Sequence, residues 1–260
     1  MLGANSRREI VEYPDHDISG SGQTKTILLL HGVVVTRKMW IPQMIALNHT
    51  YQVLAPDLLG HGSRSREKFT FSEAVAELNK TIEENKYGKV LLVGFSLGGY
   101  LASEFACKYP DKTNGLVIVG SSTTPRGYIS IPYHLLAFLY RLANPEWLAK
   151  RDARSWQSRY GAEIAKPVIE AGFYHAAIPA LRKEIGGKDF LAGLKSYDKP
   201  VFIMNGEKDR IFRKGEGLYR DKLRNSKVVV IKQAGHMCNL DAPEEFNRYL
   251  IEFADSLEWN

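Results

Sequence analysis

The stretch VLLVGFSLGGYLASEF, residues 90–105, contains the corner that decides the fold. An apolar run rich in Val and Leu ends at Gly94, and a helical pattern starts after Gly98 and Gly99. Between them, where the chain must turn sharply, stands Ser96, a polar residue with small neighbours. The question is whether Ser96 is only part of a turn or a nucleophile.

Composition limits the class of protein. The chain has 260 residues, of which 44% are hydrophobic, and carries a net charge of +6, so it can bury the core of one large domain. The sequence has no run of about 18 apolar residues that would predict a membrane span, and its N-terminus lacks the apolar centre of a signal peptide. We therefore expect a cytoplasmic protein. Cys107 and Cys238 have no metal-ligand spacing, and we expect free thiols.

Strand-like and helical patterns alternate along the chain. Several of the strand-like runs are nearly continuous Val, Ile and Leu, which is typical of parallel strands covered on both faces. We therefore predict an α/β fold with a mostly parallel central sheet and helices on both faces. The predicted strands are Thr26–Leu30, Tyr51–Ala55, Lys89–Val93, Gly115–Val119, Pro200–Met204 and Lys227–Ile231.

One long segment breaks the alternation. Residues 125–196 show helical patterns and no convincing strand, which predicts a helical cap inserted between core parts 1–124 and 197–260. The alternative is a pair of long crossover helices that belong to the core. The segment contains eleven Lys or Arg and six Asp or Glu, a net of +5. We expect a solvated outer face; the sharper hypothesis is that some of these cations attract an acidic substrate.

The context of Ser96 favours a nucleophile. Gly94-Phe95-Ser96-Leu97-Gly98 matches the pattern Gly-x-Ser-x-Gly. A tight strand–serine–helix turn strains the serine backbone, and side chains two residues away on either side would clash, which explains both glycines. The following helix directs its first amides at the same spot, where negative charge is stabilised.

A serine hydroxyl needs a base, and the base needs an acid partner. Of the seven histidines, His236 follows the last predicted strand and so lies at the same sheet edge as Ser96. Asp209 follows the preceding strand. The chain order Ser96, Asp209, His236 is the order of a Ser–Asp–His triad on this kind of fold. Competing carboxylates are Asp57, which we expect to stabilise its own turn, and Glu207 and Asp241.

These residues resemble the α/β-hydrolase superfamily over nearly the whole chain, and the resemblance gives Ser96, Asp209 and His236 the roles of nucleophile, acid and base. Capped members of that superfamily include carboxylesterases, lactonases and carbon–carbon bond hydrolases. A serine rather than an aspartate nucleophile sets the chain apart from its dehalogenases and epoxide hydrolases. The segments that carry the resemblance are LLLHGVVVTRKMW (28–40), APDLLGHGSR (55–64), LLVGFSLGGYLA (91–102), NGEKDRIF (205–212) and AGHMCNLDAPEEFNRYL (234–250).

An oxyanion hole needs two backbone N–H donors, and we expect them from Leu97 and Val33. The loop sequence HGVVV lacks the triple glycine of some esterases, which argues against bulky tertiary-alcohol esters. His31 is expected to be a structural hydrogen-bonding residue. The residues predicted to line the substrate pocket are Phe95, Tyr133, Phe138, Trp147, Trp156 and Met237.

The predicted function is hydrolysis of a small to medium carboxylic ester through an acyl-enzyme on Ser96. The same triad could instead act on a lactone, a thioester or a vinylogous diketone. A third possibility is a receptor or interaction module with little turnover. We expect a small-molecule ester as the binding partner, no metal, no cofactor, no nucleic acid, and a monomer or homodimer.

Overall fold

The structure, a computed structural model, describes residues 9–122, 138–140 and 142–259, apart from the side chains of residues 182 and 183. Its centre is an eight-stranded sheet in the order β1-β2-β4-β3-β5-β6-β7-β8. The strands are β1 Val11–Glu12, β2 His16–Ser19, β3 Thr26–Leu30, β4 Gln52–Pro56, β5 Val90–Phe95, β6 Thr113–Val119, β7 Val201–Gly206 and β8 Ser226–Ile231.

The sheet is mostly parallel, as predicted. Neighbouring strands are parallel from β4 through β3, β5, β6 and β7 to β8. The pairs β1 with β2 and β2 with β4 are antiparallel. The six predicted strands are all present, with small shifts at their ends. Strands β1 and β2 are not among the strands predicted from the sequence. In β2 the two inward side chains are Asp17 and Ser19, both fully buried, so this strand has no apolar pattern to detect.

Helices cover both faces of the sheet. They are α1 Ile41–Leu47, α2 Phe71–Glu84, α3 Leu97–Lys108, α4 Pro145–Ala171, α5 Ala177–Ile185, α6 Phe190–Leu194, α7 Glu216–Lys222, α8 Cys238–Asp241 and α9 Pro243–Asp255. Leu28 and Leu30 of β3 pack with α2 and α3, whereas Ile27 and Leu29 pack with α1 and α9 on the other face. The alternating side chains are buried on both sides, which explains the continuous apolar runs.

Between β6 and β7 the described residues form helices α4, α5 and α6. Trp156 and Val168 of α4 join the apolar cluster on the α1 and α9 face, and Phe190 of α6 packs against Tyr100 of α3 at 4.6 Å between ring centroids. An isolated β-bridge joins Tyr174 to Val34. Residues 125–137 lie outside the described part, and the division of the chain at 125 and 196 stays a prediction.

The corner after β5 depends on two glycines. A Cβ on Gly94 would collide with the backbone oxygen of Gly98, and a Cβ on Gly98 would collide with the backbone oxygen of Leu30. Strands β3 and β5 and the first turn of α3 therefore touch through their backbones. This contact fixes where Ser96 lies relative to the carboxyl ends of the strands.

Replacing Gly98 with alanine should reduce stability, because the new Cβ has no room beside Leu30. We expect Gly98→Ala to lower the free energy of unfolding by roughly 1–3 kcal/mol or more. Gly217→Ala in α7 is the matched control, because the atom nearest to its new Cβ is a side-chain nitrogen of Arg220 at 3.8 Å. That variant should gain about 0.5–1 kcal/mol. Urea unfolding measures both, and equal stabilities would contradict the backbone contact.

Candidate active site

Ser96 occupies a strained corner between β5 and α3. Its backbone has φ 51° and ψ −112°, a conformation that costs a non-glycine residue about 1–3 kcal/mol. Hydrogen bonds on both sides hold it there. The Ser96 N–H donates to the carbonyl oxygen of Val119 at 2.8 Å, and the Ser121 hydroxyl donates to the Ser96 carbonyl at 2.8 Å. Strain held in this way is typical of functional sites.

Asp209 and His236 form a direct pair at the same edge of the sheet. Asp209 follows β7 and His236 follows β8, and the imidazole Nδ1–H donates to Asp209 Oδ2 at 2.7 Å. The other carboxylate oxygen accepts the Phe212 N–H at 3.1 Å. Asp209 is buried, whereas the His236 side chain is one third exposed. This bond leaves Nε2 of the imidazole available for proton transfer.

Two aromatic rings fix the orientation of the His236 imidazole. Phe212 stacks on it at 4.2 Å between centroids, and Phe95 contacts it at 4.8 Å. A Cβ on Gly120 would lie 3.0 Å from two atoms of the imidazole, so the absence of a side chain there makes room for it. Neither Phe212 nor Gly120 is among the site residues predicted from the sequence. A glycine directly after an apolar strand was a usable signal, but nothing in the sequence links Phe212 to this ring.

Ser96 lies at the same edge of the sheet as the pair of Asp209 and His236. Within the described residues its hydroxyl forms no hydrogen bond with the His236 imidazole. Catalytic hydrogen bonds are often long without substrate and tighten when it binds. The ring of Phe95, the residue before Ser96, packs against the imidazole and keeps the two groups in the same neighbourhood.

Two backbone N–H groups near Ser96, those of Leu97 and Val33, are the predicted oxyanion donors. Leu97 is the first residue of α3, so its N–H has no acceptor within the helix. A Cβ on Gly32 would lie 3.3 Å from the Ser96 Cβ, so the loop that continues to Val33 passes directly over the serine. Among the described residues, neither the Leu97 nor the Val33 N–H has a protein acceptor. Two open donors at this spot can bind an oxyanion.

His31 and His61 are structural residues under this loop. His31 Nε2 accepts the Leu58 N–H at 2.9 Å, and His61 Nε2 accepts the Val34 N–H at 3.3 Å. Each Nδ1 donates to a nearby carbonyl. Burial lowers the pKa of both imidazoles, that of His61 to about 4. Both rings are therefore neutral at pH 7, as their acceptor roles require.

Asp57 belongs to a buried ion network, and the carboxylate that pairs with His236 is Asp209. It accepts hydrogen bonds from the Arg37 guanidinium and from the Ser63 N–H, the latter at 3.1 Å. Arg37 also donates to Asp17 at 2.9 Å. Burial alone would lower the pKa of Arg37, but the two carboxylates raise it overall. This network holds the 3₁₀ turn after the Val33 loop, which agrees with the structural role expected for Asp57.

The two other carboxylates near the base hold its loop. Asp241 accepts the Gly235 N–H at 2.6 Å, an N–H of Arg159 at 2.6 Å and the Tyr160 hydroxyl at 2.9 Å. Glu207 accepts a backbone N–H of the same loop at 2.9 Å. Because Arg159 and Tyr160 belong to α4, Asp241 joins the loop that carries the base to the inserted helices.

The remaining predicted pocket residues are in different environments. Trp156 is buried on the inner side of α4, and Met237 is half-buried beside the base. Phe138 and Trp147 are 56% and 59% exposed, so the described residues enclose neither side chain. Tyr133 lies outside the described residues.

A cavity of about 590 Å³ lies between the inserted helices and the loop before α2. Neither Ser96 nor His236 lines it, so it does not define an acyl pocket. Its lining includes Phe69, Tyr140, Leu148, His175, Pro179 and Glu184.

Two other features follow from the described residues. None of the helices there is long and apolar enough to cross a membrane. The same residues contain no cluster of three His, Cys, Asp or Glu suited to a metal ion, and both cysteines are free.

A serine at the corner of a mostly parallel, doubly covered sheet, with a histidine–aspartate pair at the same edge, defines a protein with a hydrolase-type α/β fold. The model of the alpha/beta hydrolase family matches residues 27–249, and the chain belongs to that family.

Known proteins show the same likeness. Human 1-acylglycerol-3-phosphate O-acyltransferase ABHD5 is 26% identical over 285 residues, covering 94% of this chain and 80% of its own. An esterase from Exiguobacterium antarcticum has a TM-score of 0.77 at 20% identity, covering 93% of this chain and 95% of its own. The enol-lactonase from Burkholderia xenovorans LB400 has a TM-score of 0.76 at 18% identity, covering 93% and 96%. At such identities the likeness of the solved structures shows the fold alone.

The neutral His61 should make stability depend on pH. Its folded-state pKa of about 4 lies below the ordinary 6.5, so the unfolded chain binds more protons between these values. Stability should therefore fall as pH drops through this window, with roughly 3 kcal/mol from His61. Urea unfolding at pH 7, 6 and 5 measures the slope. His61→Gln should flatten it, and an unchanged slope in this variant would refute the assignment.

Asp57 and Asp209 should respond differently to amide substitution. Asp57→Asn removes a buried partner of Arg37 and should cost about 3 kcal/mol of stability. Asp209→Asn should leave the unfolding midpoint nearly unchanged but lower kcat strongly, because it favours the wrong imidazole tautomer. Denaturation and ester-hydrolysis assays on both variants distinguish the structural role from the catalytic role. The reverse order of effects would make Asp57 the acid.

Proposed function

We propose that the protein is a serine hydrolase that cleaves a carboxylic ester of small to medium size through an acyl-enzyme on Ser96. The observation that carries the proposal is the arrangement at one sheet edge. A strained serine stands beside two open N–H donors, and a histidine–aspartate pair at 2.7 Å lies close by. Membership of the alpha/beta hydrolase family supports it. Location in the cytoplasm and a monomeric or homodimeric state stay predictions.

The arrangement supports a two-step acyl transfer. The Ser96 oxygen attacks the ester carbonyl while His236 Nε2 takes the hydroxyl proton, and the oxyanion accepts hydrogen bonds from the Val33 and Leu97 N–H groups. The intermediate collapses when the leaving alcohol takes that proton from His236. Water, activated by the same imidazole, then releases the acid. Asp209 holds the imidazole tautomer throughout.

A lactone is the second candidate substrate, because a lactone is an internal ester and the same two steps open its ring. An enol-lactonase shares this fold, so the fold admits this alternative. A thioester or a vinylogous diketone would use the same serine and base. A panel of matched substrates from these four classes, compared by kcat/KM, separates the candidates. A receptor with little turnover would show no activity on any of them.

Ser96→Ala is the decisive test of the nucleophile. A fluorophosphonate should label the wild-type protein at Ser96 and not label the variant. The turnover of p-nitrophenyl acetate should fall by several orders of magnitude, because only binding and oxyanion effects remain. Ser103→Ala, a control on the same helix whose hydroxyl bonds to the Gly99 carbonyl, should label normally. Labelling that persists in Ser96→Ala, or is absent from the wild type, would overturn the proposal.

A further inference from the structure

Val34 has an unusual backbone conformation for a branched side chain. Its φ is 79°, in the left-handed region that favours glycine. A β-branched residue is a genuine outlier there, and it persists only where its surroundings hold it. Val34 directly follows Val33, the proposed oxyanion donor. The strain is therefore located one residue from the proposed reaction centre.

Hydrogen bonds on both sides of Val34 hold it in this conformation. Its N–H donates to His61 Nε2 at 3.3 Å, and its carbonyl oxygen accepts the Tyr174 N–H at 2.7 Å. Tyr174 comes just after α4, and its ring meets the His61 ring edge-on, with 6.0 Å between centroids. We call the pair His61 and Tyr174 the Val34 clamp. It joins the loop over Ser96 to the inserted helices.

His61 is fixed so that its acceptor nitrogen faces the loop. The residue is fully buried, and its Nδ1–H donates to the Leu59 carbonyl at 3.0 Å. The His31 ring packs against it edge-on at 5.1 Å between centroids. With one nitrogen committed as a donor, the ring can only accept at the other. The ring cannot turn away from Val34 without breaking these contacts.

We propose that His61 is a positioning residue for the oxyanion hole, acting through the strained backbone of Val34. The Val34 clamp keeps φ at the strained value, and this holds the neighbouring peptide units so that the Val33 N–H stays beside Ser96. Without the clamp, Val34 relaxes to negative φ and the Val33 N–H moves away. The inference rests on the proposed serine hydrolase function, because it concerns one donor of that site.

The kinetic signature follows from the role of the donor. An oxyanion is present in the transition state and not in the bound ester, so loss of a donor lowers kcat and changes KM little. General loss of structure would instead lower the amount of active protein, which fluorophosphonate titration of active sites measures separately. The kcat is therefore expressed per titrated site.

The first comparison uses two substitutions of His61. His61→Phe keeps an aromatic ring but removes the acceptor, and kcat for p-nitrophenyl acetate should fall about tenfold or more. The roughly 100- to 1000-fold loss known for complete removal of an oxyanion donor is the upper limit, because the Val33 N–H is displaced and not removed. His61→Gln places an amide oxygen near the position of Nε2 and should recover much of this loss. KM should stay within about twofold in both.

The second comparison separates strain release from stability. Glycine adopts positive φ without strain, so Val34→Gly added to His61→Phe should restore most of the lost kcat. Lys86, an exposed residue with φ 54°, provides the matched control, because Lys86→Gly relieves similar strain far from the site. Lys86→Gly added to His61→Phe should raise the unfolding midpoint and leave kcat low.

The outcomes distinguish this inference from the proposed function. If the wild type neither labels nor hydrolyses the ester, the proposed function fails. If the wild type is active but His61→Phe keeps its kcat, the clamp has no role and the serine hydrolase stands. The inference is also overturned if Lys86→Gly rescues kcat as well as Val34→Gly does. If His61→Phe does not fold, His61→Leu, which also lacks the acceptor, carries the test, and a kcat per titrated site equal to that of wild type overturns the inference.

Discussion

The close approach of backbones at the end of β5 is the constraint on which the rest of this structure depends. Gly94 and Gly98 let β5 and α3 touch each other and let α3 touch the end of β3. Since the sheet is parallel here, the same edge also receives the ends of β7 and β8. The candidate nucleophile, the acid–base pair and both open N–H donors therefore meet without any long loop having to carry them.

Around this edge, buried polar groups that stabilise the loops are separate from the groups proposed for chemistry. His31, His61 and the network of Arg37 with Asp57 are buried and fully engaged with their neighbours. His236, by contrast, is one third exposed and keeps one nitrogen free. The loops can be rigid because their polar groups are satisfied internally. The His236 imidazole can exchange protons with substrate and water because it is exposed.

The sequence predicted what is encoded locally. Continuous apolar runs indicated six strands, and the serine corner, Asp209 and His236 were recognisable because each follows a strand. The strand His16–Ser19 escaped, since its inward residues are polar and are satisfied only by distant partners. Phe212 against the base and Tyr174 against Val34 escaped for the same reason. Contacts between residues far apart in the chain leave no periodic pattern, and they supply much of the precision of the candidate site.

The contacts of helix α4 show why the chemistry of such a chain is easier to predict from its sequence than its substrate. Arg159 and Tyr160 bind Asp241 at the end of α8, and Asp241 accepts the Gly235 N–H in the loop of His236. Tyr174, just beyond α4, binds Val34 in the loop over Ser96. Helix α4 and the residues just after it thus contact the supports of both the candidate base and a candidate oxyanion donor. The candidate reacting groups are set by the corner and the sheet edge, which tolerate little change. The helices between β6 and β7 are held by these polar contacts and by buried side chains such as Trp156 and Phe190. The rest of their sequence can vary with the substrate while these anchoring contacts persist.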